Sequence, residues 1–408
     1  GNWAVKEDKL LAYNDNSGKF FNKEFDFDRG SSATYVAKEG LIKSAASDVP
    51  RIDFSDSTSG ALLLEPQRSN LITYSEAFDN GYWIKNGLLT PTSGFLSPNG
   101  DLSAFKIVED TSNAVHRIRI SSLASGAAAS KEFTYSFFVK KSEVKWFLLK
   151  GVVNTQSLTV NVWFDLENGV IGTESNGSGK IENYGNDWYR CSINIATNSS
   201  ATSINVYGYL ADDDNSESYQ GDGTSGLYIY GAQLEQSFAT SYIPSLSGST
   251  TTRLADVCNN SGSAQDFNSE EGVLYAEISA SESATNKYIN IYKDANNRIL
   301  LWITSSGTIR GYAIVNSSGS NVFIDTVGVD VTNNNKIALR WQGFTLSLFV
   351  NGTKIGDSTV TNNFSMMGLT TLDLKDVTNV NHFYGKTKDL QVFTEAKSDE
   401  QLAALTTI

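Results

Sequence analysis

Side chains that shuttle protons, attack carbon or hold metal ions are scarce in this chain. Among 408 residues there are two histidines, His116 and His382. His116 lies in the β-rich run HRIRI, beside Arg117 and Arg119. It can be read as a general base or as a structural strand histidine. His382 follows Asn379-Val380-Asn381 and reads as a strand-edge residue. No Cys/His spacing suits zinc, and no Gly-x-Ser-x-Gly elbow presents a nucleophile. Gly221-Asp222-Gly223 is a turn and not a phosphate loop, because no Lys-Ser/Thr follows it. Oxygen ligands for a structural calcium are a separate option. Glu76 and Asp79 stand near the first strand of the central region and Asp222 before its last. Asp212-Asp213-Asp214 is a further acidic knot, which also reads as a solvated loop tip.

Binding chemistry is easier to place than turnover. In the run LTVNVWFDL (158–166), period two puts Leu158, Val160, Val162, Phe164 and Leu166 on one face. Thr159, Asn161, Trp163 and Asp165 take the other. In INVYGYL (204–210), Ile204, Val206 and Leu210 go to the core while Asn205, Tyr207 and Tyr209 go outward. Trp163, Tyr207 and Tyr209 thus share their faces with polar residues. Such a face suits a carbohydrate: an aromatic ring covers the apolar C–H side of a sugar and polar neighbours bond its hydroxyls. The same aromatics could instead be covered by a loop, by residues 1–70 or by another subunit. Trp188 and Trp341 read as core, as do Trp146 in KWFLL and Trp302 in ILLWI. Trp83, after Asn80-Gly81-Tyr82, reads as a loop anchor.

These residues must be positioned by strands. Ser/Thr/Asn/Gly turns separate Val/Ile/Tyr/Phe runs throughout, with 33 Gly and 5 Pro, which predicts an all-β protein. Residues 1–70 read as an irregular segment for anchoring or assembly, with Trp3, Leu10, Leu11, Phe20, Phe21, Phe25 and Phe27 spread among charges. Short strand candidates follow them at 35–42, 51–54 and 61–64. Residues 71–246 read as a jelly-roll β-sandwich with strands at 71–75, 103–108, 116–121, 133–140, 144–153, 157–166, 188–196, 202–210 and 226–234. Residues 247–270 are polar and small and read as a linker. Residues 271–408 read as a second sandwich. Its best signal is Asn351-Gly352 between alternating runs, a hairpin whose two turn residues must reach positive φ. Ser398 with Gln401 three residues on predicts a capping box and one short C-terminal helix.

The net charge of −13 argues against nucleic acid as a partner, which would need clustered Lys and Arg. No apolar run is long enough for a membrane-spanning helix. Cys191 and Cys258 fall in different expected domains and suit synthesis in a reducing cytosol without a bridge.

Several stretches carry a resemblance: Leu63-Leu64-Glu65-Pro66-Gln67-Arg68-Ser69-Asn70-Leu71, FDLENG at 164–169, GNDWYRCSI at 185–193 and the segment 219–256. With them the first sandwich resembles the jelly-roll modules of tailed-bacteriophage virion proteins, and more loosely carbohydrate-binding jelly rolls. The FVNG hairpin and the ending YGKTKDLQVFTEAKSDEQLAAL give the last domain a resemblance to concanavalin A/laminin-G-type sandwiches. The resemblance implies a non-enzymatic head or tail fibre or decoration subunit on the virion surface, made in the host cytoplasm. It implies partners among other virion proteins, a homotrimer, and contact with host-surface glycans through Trp163, Tyr207 and Tyr209. The alternatives are a purely structural assembly protein and the non-catalytic part of a secreted polysaccharide-degrading enzyme. Glycan-cleaving concanavalin-type enzymes resemble one another in a Glu-x-Asp-x-x-Glu strand, whose carboxylates share one face as retaining hydrolysis needs. That string is absent here, as is the Gln-x-His strand of alginate-lyase-like sandwiches. Jelly rolls with a bound ion usually take an Asp from the final strand, where this chain has Tyr230-Gly231-Ala232-Gln233. No cofactor beyond a structural calcium at Glu76, Asp79 and Asp222 is implied.

Overall fold

Alternating apolar and polar residues, broken by turns rich in Gly and Asn, leave this chain little but strands to form. A computed structural model describes residues 3–6, 9–16, 19–316 and 320–408. It contains one α-helix among the described residues, and the rest of its regular structure is almost entirely β. The chain divides into two compact units, one of residues 39–44 and 67–253 and the other of 1–38, 45–66 and 254–408.

The unit of residues 67–253 is a jelly-roll sandwich of two six-stranded sheets. One runs Thr92–Phe95, Ala104–Val108, Gly226–Gln236, Glu132–Lys141, Trp188–Ala196 and Gly179–Asn183. The other runs Val170–Ser175, Leu158–Asp165, Trp146–Val153, Ile204–Ala211, His116–Leu123 and Ile84–Asn86. Pairing is antiparallel throughout both sheets. The inward residues expected from period two, among them Val160, Val162, Phe164, Ile204, Val206 and Leu210, pack into one core with Phe137, Phe147 and Trp83. The central strands lie where the sequence predicts them. The short edge strands at 84–86, 92–95, 170–175 and 179–183 have little apolar patterning and leave no such signal. The expected strand at 71–75 does not form. Its backbone is satisfied by single bonds, from the Leu71 amide to the Leu234 carbonyl and from the Ser75 amide to that of Ser245.

In the other unit a seven-stranded sheet runs Thr353–Thr359, Thr345–Val350, Asn335–Gln342, Glu271–Ala280, Gly385–Phe393, Ala61–Leu64 and Arg51–Asp53. A five-stranded sheet runs Asn321–Asp325, Ile309–Val315, Asn297–Ile303, Lys287–Asp294 and Thr371–Asp373. The Asn351-Gly352 turn has φ of 50° and 81°, as its type requires. The helix Asp399–Thr406 starts with the expected Ser398/Gln401 capping box.

Two expected boundaries are corrected. Residues 1–70 are not a separate irregular segment: Arg51–Asp53 and Ala61–Leu64 extend the seven-stranded sheet. Trp3, Leu10 and Phe25 enter the same core as Leu274 and Cys258; the side chains of Leu11, Phe20 and Phe21 lie outside the described residues. Residues 247–270 are not a plain linker, since Thr251–Arg253 pairs with Arg68–Asn70 and Val257–Asn259 pairs with Lys19–Asp28. Beside these pairings, Arg29, Arg51, Glu65 and Asp256 form an ion cluster that polar composition disguised. Arg29 reaches Asp256 at 3.1 Å, and Arg51 reaches Asp256 at 2.6 Å and Glu65 at 2.7 Å, with both guanidinium groups fully buried. Cys191 and Cys258 are buried free thiols.

Candidate functional site

The outer face of the sheet containing Leu158–Asp165 is set by strand register. Every residue there opposes its neighbours across adjacent strands, so side chains form rows perpendicular to the strands. One row runs Trp163, Leu148, Tyr209, Arg117, Asn86. The next runs Ser175, Asn161, Lys150, Tyr207, Arg119, Ile84.

The first row is covered. Trp163 is 3% exposed and Tyr209 1%, so of the two readings, glycan stacking or cover by another segment, these two residues follow the second and form a buried layer. The segment 212–219 lies over them. The Trp163 indole donates to the Ser216 carbonyl at 3.0 Å. Asp214 fastens the segment by accepting from the Thr173 amide at 2.8 Å and hydroxyl at 2.9 Å. Tyr209 accepts from Arg117 at 2.5 Å, and Arg117 sits over both tyrosine rings, 5.0 Å from Tyr207 and 5.3 Å from Tyr209. Burial raises the Tyr209 phenol pKa, so it stays a neutral hydroxyl.

The second row remains half-buried and reachable. From Asn161 to Arg119 it crosses four strands, roughly 14 Å at ~4.8 Å per strand. It offers an amide, an ammonium, a phenol with its ring, and a guanidinium in line. Lys150 is held by both carboxylate oxygens of Glu217, at 2.9 and 2.8 Å. Asn161 Oδ1 and Arg119 Nε have no hydrogen-bond partner. Both atoms are buried, and the Arg119 guanidinium donates through Nη1 to the Ser121 hydroxyl at 2.7 Å. Of the three expected aromatics, Tyr207 alone stands on the accessible row. Asn161, Lys150 and Arg119 complete it, and of these the sequence places only Asn161 on this face. Their signal was present in the register, which cannot be read until the strands are paired.

The expected metal ligands sit in separate hydrogen-bond arrangements. Glu76 accepts from Tyr230 at 3.0 Å and Tyr242 at 2.9 Å, and burial raises its pKa. Asp222 caps its own turn, accepting from the Ser225 hydroxyl and from the amides of Ser225 and Thr224, and these bonds hold its pKa well below the usual carboxylate range. Asp79 is exposed. No three His, Cys, Asp or Glu side chains gather into a metal-binding group among the described residues.

His116 is fully buried, with Nδ1 2.6 Å from the Gly87 carbonyl and Nε2 3.2 Å from the Tyr219 carbonyl. A Cβ at Gly87 would meet the Val115 carbonyl at 2.3 Å and the imidazole at 2.9 Å, and φ there is 63°, so only glycine allows this clasp. His382 stacks on Tyr384 with centroids 5.7 Å apart, and burial lowers its pKa. Trp188 and Trp341 are buried as expected, and Trp83, expected as a loop anchor, is buried in the sandwich core. Trp146 and Trp302 are not core residues but half-buried on outer faces. Trp302 stacks on Tyr288 at 5.3 Å, with Arg310 over its ring at 4.7 Å and over that of Phe323 at 4.4 Å. The near-continuous apolar run ILLWI hid this alternation.

No family model matches this chain, and no curated protein matches it. Several solved structures are similar to it. One is the IT-sialidase CBM40 of Ruminococcus gnavus bound to alpha2,3 sialyllactose, 18% identical over 36% of this chain and 93% of that one, TM-score 0.31. Another is the SAP-like pentraxin of Limulus polyphemus, 18% identical over 33% and 68%, TM-score 0.28. A third is the mouse laminin alpha1 chain, domains LG4-5, 8% identical over 69% and 87%, TM-score 0.26. These are likenesses only, and the case for a ligand rests on the rows of side chains themselves.

Proposed function

We propose that this chain is a non-catalytic glycan-contacting protein, displayed on a tailed-phage virion as a fibre or decoration subunit. The observation that carries the glycan part is the accessible row Asn161, Lys150, Tyr207, Arg119, in which one aromatic ring stands among groups suited to hydroxyls. The virion part is supported by the resemblance of residues 63–71, 164–169, 185–193 and 219–256 to phage modules, and by a net charge of −13, which keeps a crowded, high-copy protein from sticking to its neighbours. Each contact is shallow, so copy number on the particle supplies the avidity.

The test is a glycan array probed with the wild-type chain and with Tyr207→Ala. Retention of a defined glycan subset that Tyr207→Ala loses supports the reading. Wild-type protein that binds no glycan refutes it and leaves a purely structural role. Immunogold labelling of phage particles tests the virion assignment separately.

A further inference from the structure

A second feature of the jelly-roll unit lies away from the strand row. A cleft of about 540 Å3 opens between the start of the Arg68–Asn70 strand, the 124–131 loop and the end of Gly226–Gln236. Its size falls within the range of small-molecule sites. Arg68 and Lys131 both line it, and no Asp or Glu is among its described lining residues. In a chain of net charge −13 this is a local reversal of sign.

The lining is also partly pre-set. The Arg68 guanidinium lies over the Phe238 ring at 4.7 Å, which fixes the plane of its donor fork. Ala124 and Ser237 line the cleft with φ of 52° and 74°, a left-handed backbone that costs non-glycine residues energy and gathers at ligand sites. Ser237 is held there because its amide donates to the Glu132 carbonyl at 2.7 Å and its carbonyl accepts from Thr134 at 2.6 Å. Leu71 and Phe133 give an apolar floor, while Ser69 and Gln236 supply neutral polar groups.

We propose that this cleft is a separate binding site for an acidic sugar, a saccharide unit bearing a carboxylate. The carboxylate pairs with the Arg68 fork and the Lys131 ammonium. The hydroxyls meet Ser69 and Gln236, and the C–H side of the ring lies on Leu71. The site shares no residue with the strand row, so the two assignments stand or fall separately.

The experiment titrates the full chain at low salt with glucuronate, glucose and inorganic sulfate, followed by calorimetry or amide chemical shifts. Saturable glucuronate binding is expected, with glucose and sulfate each at least about tenfold weaker, the cost of one lost charge-assisted contact set. Lys131→Gln and Arg68→Lys should each weaken glucuronate about tenfold. Tyr207→Ala should leave it unchanged. Lys131 is half-buried at the strand entrance, so its variant carries the test if the Arg68 variant fails to fold. Equal affinity for glucose, sulfate as tight as glucuronate (an adventitious ion only), insensitivity to Lys131→Gln, or no saturation would each overturn the proposal.

Discussion

Tyr207 and Asn161 are the residues on which the glycan reading turns. Replacing Tyr207 by Ala removes the one accessible ring of the row, and a loss of about 1–2 kcal/mol, or tenfold or more in glycan affinity, is expected. Fold stability should change little, because the ring is half-exposed; a thermal melt beside the binding curve separates the two effects. Glu76 gives a pH prediction. Burial raises its carboxyl above the ordinary 4.5, so the native state holds that proton more tightly than the unfolded chain. The group therefore stabilises most below about pH 4.5, and this contribution is lost as pH rises through the raised native value. Glu76→Gln keeps an acceptor for Tyr230 and Tyr242 without the charge. It should be more stable than the parent at pH 7, with the difference vanishing below the ordinary carboxylate range in paired denaturant titrations. A constant difference across pH would contradict the assignment.

Two elements behave as fastened parts. The 212–219 segment is pinned through Asp214 to Thr173. Asp214→Ala should loosen it and expose Trp163, read as a red-shifted, more acrylamide-quenchable tryptophan emission; unchanged emission would show that the segment is held by other contacts. The Arg29, Arg51, Glu65 and Asp256 cluster fastens strands far apart in sequence. Asp256→Ala leaves two buried guanidinium groups short of their shared carboxylate, and a loss of about 3–5 kcal/mol is expected in urea melts. These elements also mark where the sequence could and could not be read. Period two in 158–166 and 204–210 told which residues face the core, and Asn351-Gly352 and Ser398 told where a hairpin and a helix lie. Nothing local told that Trp163 and Tyr209 would be roofed, because the roof comes from a polar, acidic loop with no apolar signal. Nor could Asp256 in a Ser/Thr-rich stretch announce its pairing with Arg29 and Arg51, some 200 residues distant. Long-range ion pairing leaves no periodicity.

Across the whole molecule, each unit has its own apolar core, one built around Trp341, Leu339 and Ile291 and the other around Phe137, Phe147 and Trp83. Neither needs a disulfide, consistent with two buried free thiols. The glycan reading rests on the half-buried row Asn161, Lys150, Tyr207 and Arg119 of the jelly-roll unit. The most direct test of that claim is a glycan array read with the wild-type chain, Tyr207→Ala and Asn161→Ala, each verified as folded by its melt. The account predicts a defined set of bound glycans in the wild type and at least about tenfold weaker retention of that set in both variants. Retention unchanged by either substitution would place the binding elsewhere and contradict it.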